Sequence, residues 1–432
     1  VPRLFAGLLV GVALGVAGAA LQSATRNVLA SPDTLAVNAG AHFAIVAVAA
    51  FGMTLPALLS GGVAFIGGLA AAVLVLALSG GGANGNGGPI RLVLAGTALA
   101  LGLHSATSAL LLLFSQETTG LYAWGQGSLA QSRTDELIQF TPIVLKAIAA
   151  LLLHARRLAL LGLGDDASRL GGADPRLARV GAVVLAVVLS AAAVTIAGPI
   201  GFVGLCAPAI VRLLASRLRG LGRHRALLPI SGLAGAVVVI GADVLVRGLF
   251  GAQAGVEVPT GAVTTVFGAV FLVILAMRMS DAGLSVAGDA LARLRTRRFF
   301  LTVLIGLLVL LAGLLVAGAL LGDAKLLLGD LVNWLTGQSG TRVSAVLGTR
   351  MPRVLAAVLA GAALALAGAL IQAVSRNSLA EPGILGVSGG GGLAAIIVIT
   401  TVPTAGSWVV TGSALGGAAL SALLVFGLAF RG

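Results

Sequence analysis

Charge is scarce in this chain. Of 432 residues only 9% are Asp, Glu, Lys or Arg, while 58% are hydrophobic; soluble domains carry roughly 25% charged residues. Mean hydropathy is +1.10. Water-soluble packing cannot hide that much apolar surface, so a soluble globular domain is excluded. Cysteine is scarcer still. Cys206 stands alone, which excludes a disulfide framework or a cysteine-based metal site within the chain. The histidines (His42, His104, His154, His224) are scattered and none pairs at ligand spacing, so ordinary packing or interfacial roles are expected. Lysine is confined to Lys146 and Lys325. The glycine-rich run from Ser79 to Pro89, SGGGANGNGGP, therefore lacks the GK[ST] ending of a phosphate loop and reads as a flexible connector. Without a Walker-type site, the chain cannot itself be an ATPase.

What is present is a series of apolar runs, each long enough to cross a hydrocarbon core of ~30 Å as a helix. Helices satisfy their own backbone hydrogen bonds in lipid, so the fold class is an all-α polytopic membrane protein. Thirteen spans are expected, near 3–22, 34–52, 57–79, 91–115, 137–155, 177–199, 202–215, 227–246, 260–278, 300–321, 352–374, 386–403 and 408–430. The seventh, GPIGFVGLCAPAIVRLL, is short and rich in Gly and Pro and reads as a half-span packed within protein.

One segment occurs twice. LQSATRNVLASPDTLAV from Leu21 matches IQAVSRNSLAEPGILGV from Ile371 at a constant offset of 350. Gln22 aligns with Gln372, Arg26 with Arg376, Asn27 with Asn377, Leu29 with Leu379 and Pro32 with Pro382. The register runs back to Pro2-Arg3 against Pro352-Arg353 and forward to Gly40 against Gly390, without a gap. This is an internal duplication with a long unit. Residues 1–285 make one unit, 286–299 a cytoplasmic linker and 300–432 the first four spans of a second unit. The first unit lacks the span that Phe299–Leu321 supplies to the second, so a complete unit has ten spans. The chain thus reads as the middle of a twenty-span protein cut at both ends. Val1 falls inside the entrance to a helix.

The net charge of +13 invites a nucleic-acid reading, but membrane proteins enrich Lys and Arg in cytoplasmic loops. With the RRFF linker (297–300) placed in the cytoplasm, most of the Lys and Arg fall on that side. The alternative orientation inverts the bias. Arg156, Arg157, Arg169, Arg176 and Arg179 then share one inner loop, and the Arg26-Asn27 turn is also cytoplasmic. Pro32 and Pro382 suit the first turn of the next helix, where a missing N–H costs nothing. Asp243 and Arg247, four residues apart near the outer end of a span, can pair along one helix face. Lys146 looks buried within a span, where snorkelling is the ordinary role.

Several stretches, in this order and spacing, resemble one family. They are RMPR from Arg350 with VPR as its clipped copy, NVLASPDTLAV and NSLAEPGILGV, RLVLAGTALA from Arg91, and WGQGSL from Trp124. LGDDASRLGG from Leu163, GPIGFVGLCAP from Gly198, HRALLP from His224, ADVLVR from Ala242 and EVPTGAVTTVFGAVF from Glu257 complete the set. Together they are similar to the iron-siderophore and cobalamin (FecCD) branch of ABC importer permeases, most of all the fused two-half ferric-hydroxamate type. Ala209 stands where the family usually has His after proline, Arg223 where Asp often precedes the His-Arg pair, and Asp33 where the second copy has Gly383.

The resemblance implies a type II ABC importer permease fold, with ten helices per half in tandem, in the bacterial cytoplasmic (inner) membrane. The implied function is transport of a ferric siderophore of hydroxamate type, with cobalamin or haem as the nearer alternative. A secondary transporter with internal repeats is more distant, because it should place functional charges near the midplane and here they sit at loops and interfaces. The resemblance implies no enzyme activity and no cofactor in this chain, with ATP and Mg held by a partner ATPase. Implied partners are a cytoplasmic ABC ATPase dimer, an extracytoplasmic substrate-binding protein and the lipid bilayer; no nucleic acid is expected. The implied ATPase-coupling segment is Leu163, Gly164, Asp165, Asp166, Arg169 and Gly172, which on sequence alone reads rather as a solvated loop with ordinary inner-side arginines; the resemblance reverses that preference. The implied cytoplasmic gate is Asn27 and Leu29 with Asn377 and Leu379, whose bland counterpart is a capped helix–helix turn. Binding-protein docking falls to Arg3, Arg247, Arg350 and Arg353, which as interfacial arginines would otherwise snorkel to headgroups.

Overall fold

The computed structural model describes residues 2–28, 30–53, 57–79, 89–129, 135–215, 223–278, 297–322, 324–375 and 380–429. All regular structure among them is helical. The chain divides into two units, Val1–Ala276 and Met277–Gly432. The linker expected at 286–299 falls mostly outside the described residues.

The first unit contains α1 (Pro2–Thr25), α2 (Val37–Ala50), α3 (Ala57–Leu78), α4 (Pro89–Leu113), α5 (Leu121–Trp124) and α6 (Asp135–Gly162). It continues with α7 (Asp165–Leu170), α8 (Pro175–Ala197), α9 (Val203–Ala215), α10 (His224–Glu257) and α11 (Thr260–Arg278). Helix α1 lies at its centre, packed on α6, α8, α9 and α10. Its composition explains why. Lipid tails are as apolar as leucine, so helix association in a membrane rests on close backbone approach at small residues. Gly11, Gly15 and Gly18 of α1 supply that approach. A Cβ on Gly15 would lie 2.1 Å from the Ser231 carbonyl oxygen of α10, and one on Gly18 would lie 1.7 Å from that of Gly204 in α9. The most apolar 18-residue window of α1 is 72% buried, whereas that of α12 (Arg297–Leu320), rich in leucine, is 0% buried within the structure.

The second unit contains α12, α13 (Leu328–Leu335), α14 (Thr341–Ser375), α15 (Val387–Thr401) and α16 (Ser407–Ala429). Here the duplication reappears in packing. In the first unit α2 crosses α3 where Gly40 and Gly67 face each other, and an added Cβ on either would lie 2.5–2.6 Å from the other's carbonyl oxygen. In the second unit α15 crosses α16 through Gly390 and Gly417 in the same way, at 2.6 and 2.4 Å. Both glycine pairs obey the offset of 350.

Among the described residues, nine helices are long and apolar enough to cross a membrane and four shorter apolar ones accompany them. Each of the thirteen expected spans has its helix, but the ends differ. Helix α6 runs from Asp135 to Gly162, α10 extends to Glu257 and α14 begins at Thr341, leaving Pro352 inside the helix rather than at its start. Helices continue past the hydrocarbon into polar sequence, where water tolerates charge; apolar pattern marks only the lipid-facing length. Lys146 is exposed on α6 rather than buried. Pro32 and Pro382 open separate one-turn 3₁₀ helices, Pro32–Leu35 and Pro382–Leu385. Ala36 and Gly386, with φ of 57° and 70°, divide these from α2 and α15.

Candidate functional site

The inner end of the first unit is built around Asp165. Two glycines in backbone regions that favour glycine, Gly164 (φ 123°) and Gly172 (φ 76°), bracket α7. Between them the chain makes one short helix. The Ser168 hydroxyl donates to the Ala173 carbonyl at 3.2 Å, and the Ala173 N–H returns to the Ser168 carbonyl at 3.0 Å. The knob this creates presents Leu163 (74% exposed) and Leu170 (91% exposed) to solvent. Asp166 and Arg169 stand beside them at 3.7 Å from each other, both largely exposed.

Asp165 points the other way. Its Oδ1 accepts from Arg26 Nη2 at 2.5 Å and from Arg179 Nη2 at 3.3 Å. Arg26 also donates through Nε to the Leu161 carbonyl at the end of α6 (2.9 Å), and Arg179 through Nε to the Ala24 carbonyl at the end of α1 (3.2 Å). One carboxylate thereby ties α7 to the last turns of α1 and α6 and the first of α8. Burial works to raise the Asp165 pKa, but the Arg179 charge, then the Arg26 hydrogen bond and charge, outweigh it and hold the carboxyl below its ordinary value. Half-exposed ion pairs contribute little stability individually; here the value lies in geometry. Arg26 adopts φ 53°, a left-handed conformation that is strained for a residue other than glycine. Its two hydrogen bonds hold it there.

From Arg26 the chain enters the Asn27 turn, closed by the Ala30 N–H on the Asn27 carbonyl at 3.1 Å. The turn is braced from α1: Gln22 donates to the Leu205 carbonyl of α9 (3.3 Å), and Ser23 contacts both Arg212 (3.3 Å) and His224 (3.1 Å). Leu29, Asn377 and Leu379 lie outside the described residues. Of the four expected gate residues, Asn27 is thus the one among the described residues.

At the opposite end of α1, Arg3 and the helix α10 residues form a second cluster. Asp243 is 2% exposed. It accepts from Arg247 at 2.7 Å, the pair the i,i+4 spacing predicts, and also from Arg3 at 2.5 Å. The Arg3 contact spans 240 positions and has no local sequence signal. Arg350 of the second unit donates to the Ala319, Leu320 and Ala324 carbonyls at 3.2, 3.3 and 2.8 Å, closing the end of α12. Arg353 is exposed. Of the four arginines singled out by resemblance, three thus have intramolecular partners. Among the described residues no group of three His, Cys, Asp or Glu could hold a metal.

A family model described as the FecCD transport family matches residues 1–278 and 300–432. The chain belongs to the FecCD transport family. It is 34% identical over 436 residues to the iron(3+)-hydroxamate import system permease protein FhuB of Salmonella typhimurium, covering 100% of this chain and 60% of that one. It is 32% identical over 434 residues to FhuB of Escherichia coli K12, covering 63% of that protein. The chain therefore spans about three fifths of these FhuB relatives. The Fe(3+)-citrate import permease YfmD of Bacillus subtilis is 36% identical over 280 residues, which is 64% of this chain and 79% of YfmD. A solved metal-chelate type ABC transporter in an inward-facing conformation superposes with a TM-score of 0.56 and 27% identity, over 64% of this chain and 87% of that one. The fold is that of a FecCD permease, all-helical and multi-pass, in the inner membrane.

Proposed function

We propose that this FecCD chain is the membrane-spanning permease of an ATP-driven importer for ferric siderophores of the hydroxamate class. An external binding protein delivers the chelate, and a cytoplasmic ATPase dimer, which holds ATP and Mg, drives the permease between outward- and inward-open states. The chain forms and breaks no covalent bond and carries no cofactor of its own. One observation carries the coupling part of this reading. The exposed knob α7 is tied through Asp165 to Arg26, the residue that opens the Asn27 turn. A push on Leu163, Leu170 and the Asp166–Arg169 pair therefore reaches the end of α1 directly, without passing through a flexible loop.

The hydroxamate assignment rests on alignment over the whole chain to two FhuB proteins. The hemin permease HmuU of Yersinia pestis is 33% identical over 65% of the chain, and the cobalamin permease BtuC of Halobacterium salinarum 36% over 63%. Their similarity keeps haem and cobalamin as the second reading. The test is uptake by the permease reconstituted with its ATPase and binding protein, comparing a ferric trihydroxamate, haem and cobalamin. ATP-dependent uptake of the hydroxamate above the other two supports the assignment. Uptake of haem or cobalamin instead moves the substrate, and uptake without an ATPase overturns the importer reading.

A further inference from the structure

The first unit contains an open cavity of about 570 Å³ between the 3₁₀ helix Pro32–Leu35, α2, α4, the turn after α5, the loop before α9, and α11. That volume falls in the range of small-molecule sites, roughly 300–1,000 Å³. Its walls are mostly apolar, with Ser31, Asp33, Asn38, His104, Gln126 and Thr265 as the polar groups. Asp33 is the only carboxylate among these lining residues, and no Arg or Lys joins it.

Asp33 differs from the carboxylates that anchor the two ends of α1. Asp243 has two arginines and Asp165 has two arginines. Asp33, among the described residues, has no cationic partner. Its carboxylate accepts from the Asn38 side-chain amide and the Phe202 backbone N–H. Two neutral donors leave it partly compensated, and a half-buried anion without a countercharge is costly.

The repeat shows that the turn does not need an aspartate at this position. Residues 382–385 form the same 3₁₀ helix with Gly383 in place of Asp33. The flanking backbone matches: Ser31 and Glu381 are extended, Ala36 and Gly386 are left-handed, and the closing hydrogen bond runs to the carbonyl of Asp33 or Gly383 at 3.1 and 2.9 Å. The Asn38 position is Ser388 in the second copy. The second copy carries its carboxylate at Glu381 instead, the counterpart of Ser31, with an oxygen 3.3 Å from where a Cβ on Gly383 would stand; an aspartate facing this cavity with an amide partner is particular to the first half.

We infer that Asp33 is a countercharge for a cationic group on the transported ligand, and that the cavity favours metal chelates bearing a protonated amine over neutral ones. This rests on the importer reading. An ammonium entering the cavity replaces water at the two remaining faces of the carboxylate, and charge-assisted hydrogen bonds of this kind are about twice as strong as neutral ones. The apolar walls then accept the body of the chelate.

The test uses the permease with its ATPase and binding protein in proteoliposomes, and two probes that differ by one charge. These are a ferric trihydroxamate with a free terminal ammonium and the same chelate with that amine acetylated. Asp33→Asn, Asp33→Gly and Asp33→Glu are compared with the unaltered protein. The same binding protein serves every variant, so its own preference cancels. Asp33→Asn and Asp33→Gly are expected to lower uptake of the ammonium chelate about tenfold relative to the acetylated one, chiefly through KM, and Asp33→Glu to restore most of the ratio. An equal fall for both probes would assign Asp33 to bracing the Phe202 loop and overturn the inference, as would an unchanged ratio. If the unaltered protein takes up neither probe, the hydroxamate assignment fails and the inference with it.

Discussion

Replacing Asp243 with Asn should destabilise the first unit through a mechanism the structure lets us size. The carboxylate is 3% exposed and holds two guanidinium groups, Arg3 at 2.5 Å and Arg247 at 2.7 Å. Removing one partner of a buried ion pair costs about 3–5 kcal/mol because the remaining charge is left uncompensated. Arg3 and Arg247 are 19% and 36% exposed, so both can regain some hydration, and about 2–3 kcal/mol is the better expectation. At roughly 2 °C per kcal/mol for a large chain, the unfolding midpoint should fall by about 4–6 °C. The assay is built into the sequence. Cys206, the single cysteine, is buried in α9 at 4% exposure, so a thiol-reactive fluorogenic dye in detergent reports unfolding alone. Replacing the whole cluster (Arg3→Met, Asp243→Leu, Arg247→Met) removes every charge together and should recover most of the loss. A midpoint within about 1 °C of the unaltered protein for Asp243→Asn, or a triple variant worse than the single one, would refute the view that this cluster locks α1 to α10.

Gly18→Ala should prevent α1 from seating on α9, since its Cβ would meet the Gly204 carbonyl oxygen at 1.7 Å; Gly306→Ala, with nothing within 4 Å, is the matched control, and folded yield in detergent compares them. The Asp165 clamp should be insensitive to pH through the neutral range. Its folded pKa is depressed, so its contribution is present above the unfolded value of about 3.9 and is lost only as pH falls through the lower folded value; proteolysis of the α7 loop followed from pH 8 to 4 reads this. Asp33, in the turn between two spans, behaves oppositely. Burial chiefly, opposed by the Phe202 and Asn38 hydrogen bonds, pushes it up to about 6. The protein is then penalised as pH rises from about 4 through 6, and Asp33→Asn should raise the unfolding midpoint more at pH 8 than at pH 4.5.

Much of the architecture was legible because lipid imposes a simple length rule on apolar runs, and thirteen such runs became thirteen helices. The duplication was legible around Gln22 and Gln372, where polar and proline residues mark the register against a uniform apolar background. It was hidden at Gly67 and Gly417, whose equivalence shows only in the reciprocal contacts with Gly40 and Gly390; glycine is too common here to signal register alone. Helix ends were misjudged where α6, α10 and α14 run on into polar sequence, since hydropathy reports the membrane and not the helix. The segment proposed to couple could be delimited by Gly164 and Gly172, but not its attachment. Arg26 and Arg179 lie 139 and 14 positions from Asp165, and nothing local distinguishes them from other cytoplasmic arginines. For the same reason Arg3 looked like a free outer arginine until its contact with Asp243 was visible.

The most direct test of the central claim places a cysteine at the tip of α7. Leu170 is 91% exposed, so Leu170→Cys, in a chain whose native Cys206 is buried, gives one reactive thiol. In membranes containing the assembled transporter, a short bifunctional reagent is expected to crosslink this thiol to the ATPase subunit, with a yield that changes on adding ATP and Mg. A membrane-impermeant maleimide should reach it only in inside-out vesicles. Labelling from the outer face, or crosslinks that never include a nucleotide-hydrolysing subunit, would contradict the claim that force enters this permease through α7 and reaches the Asn27 turn by way of Asp165.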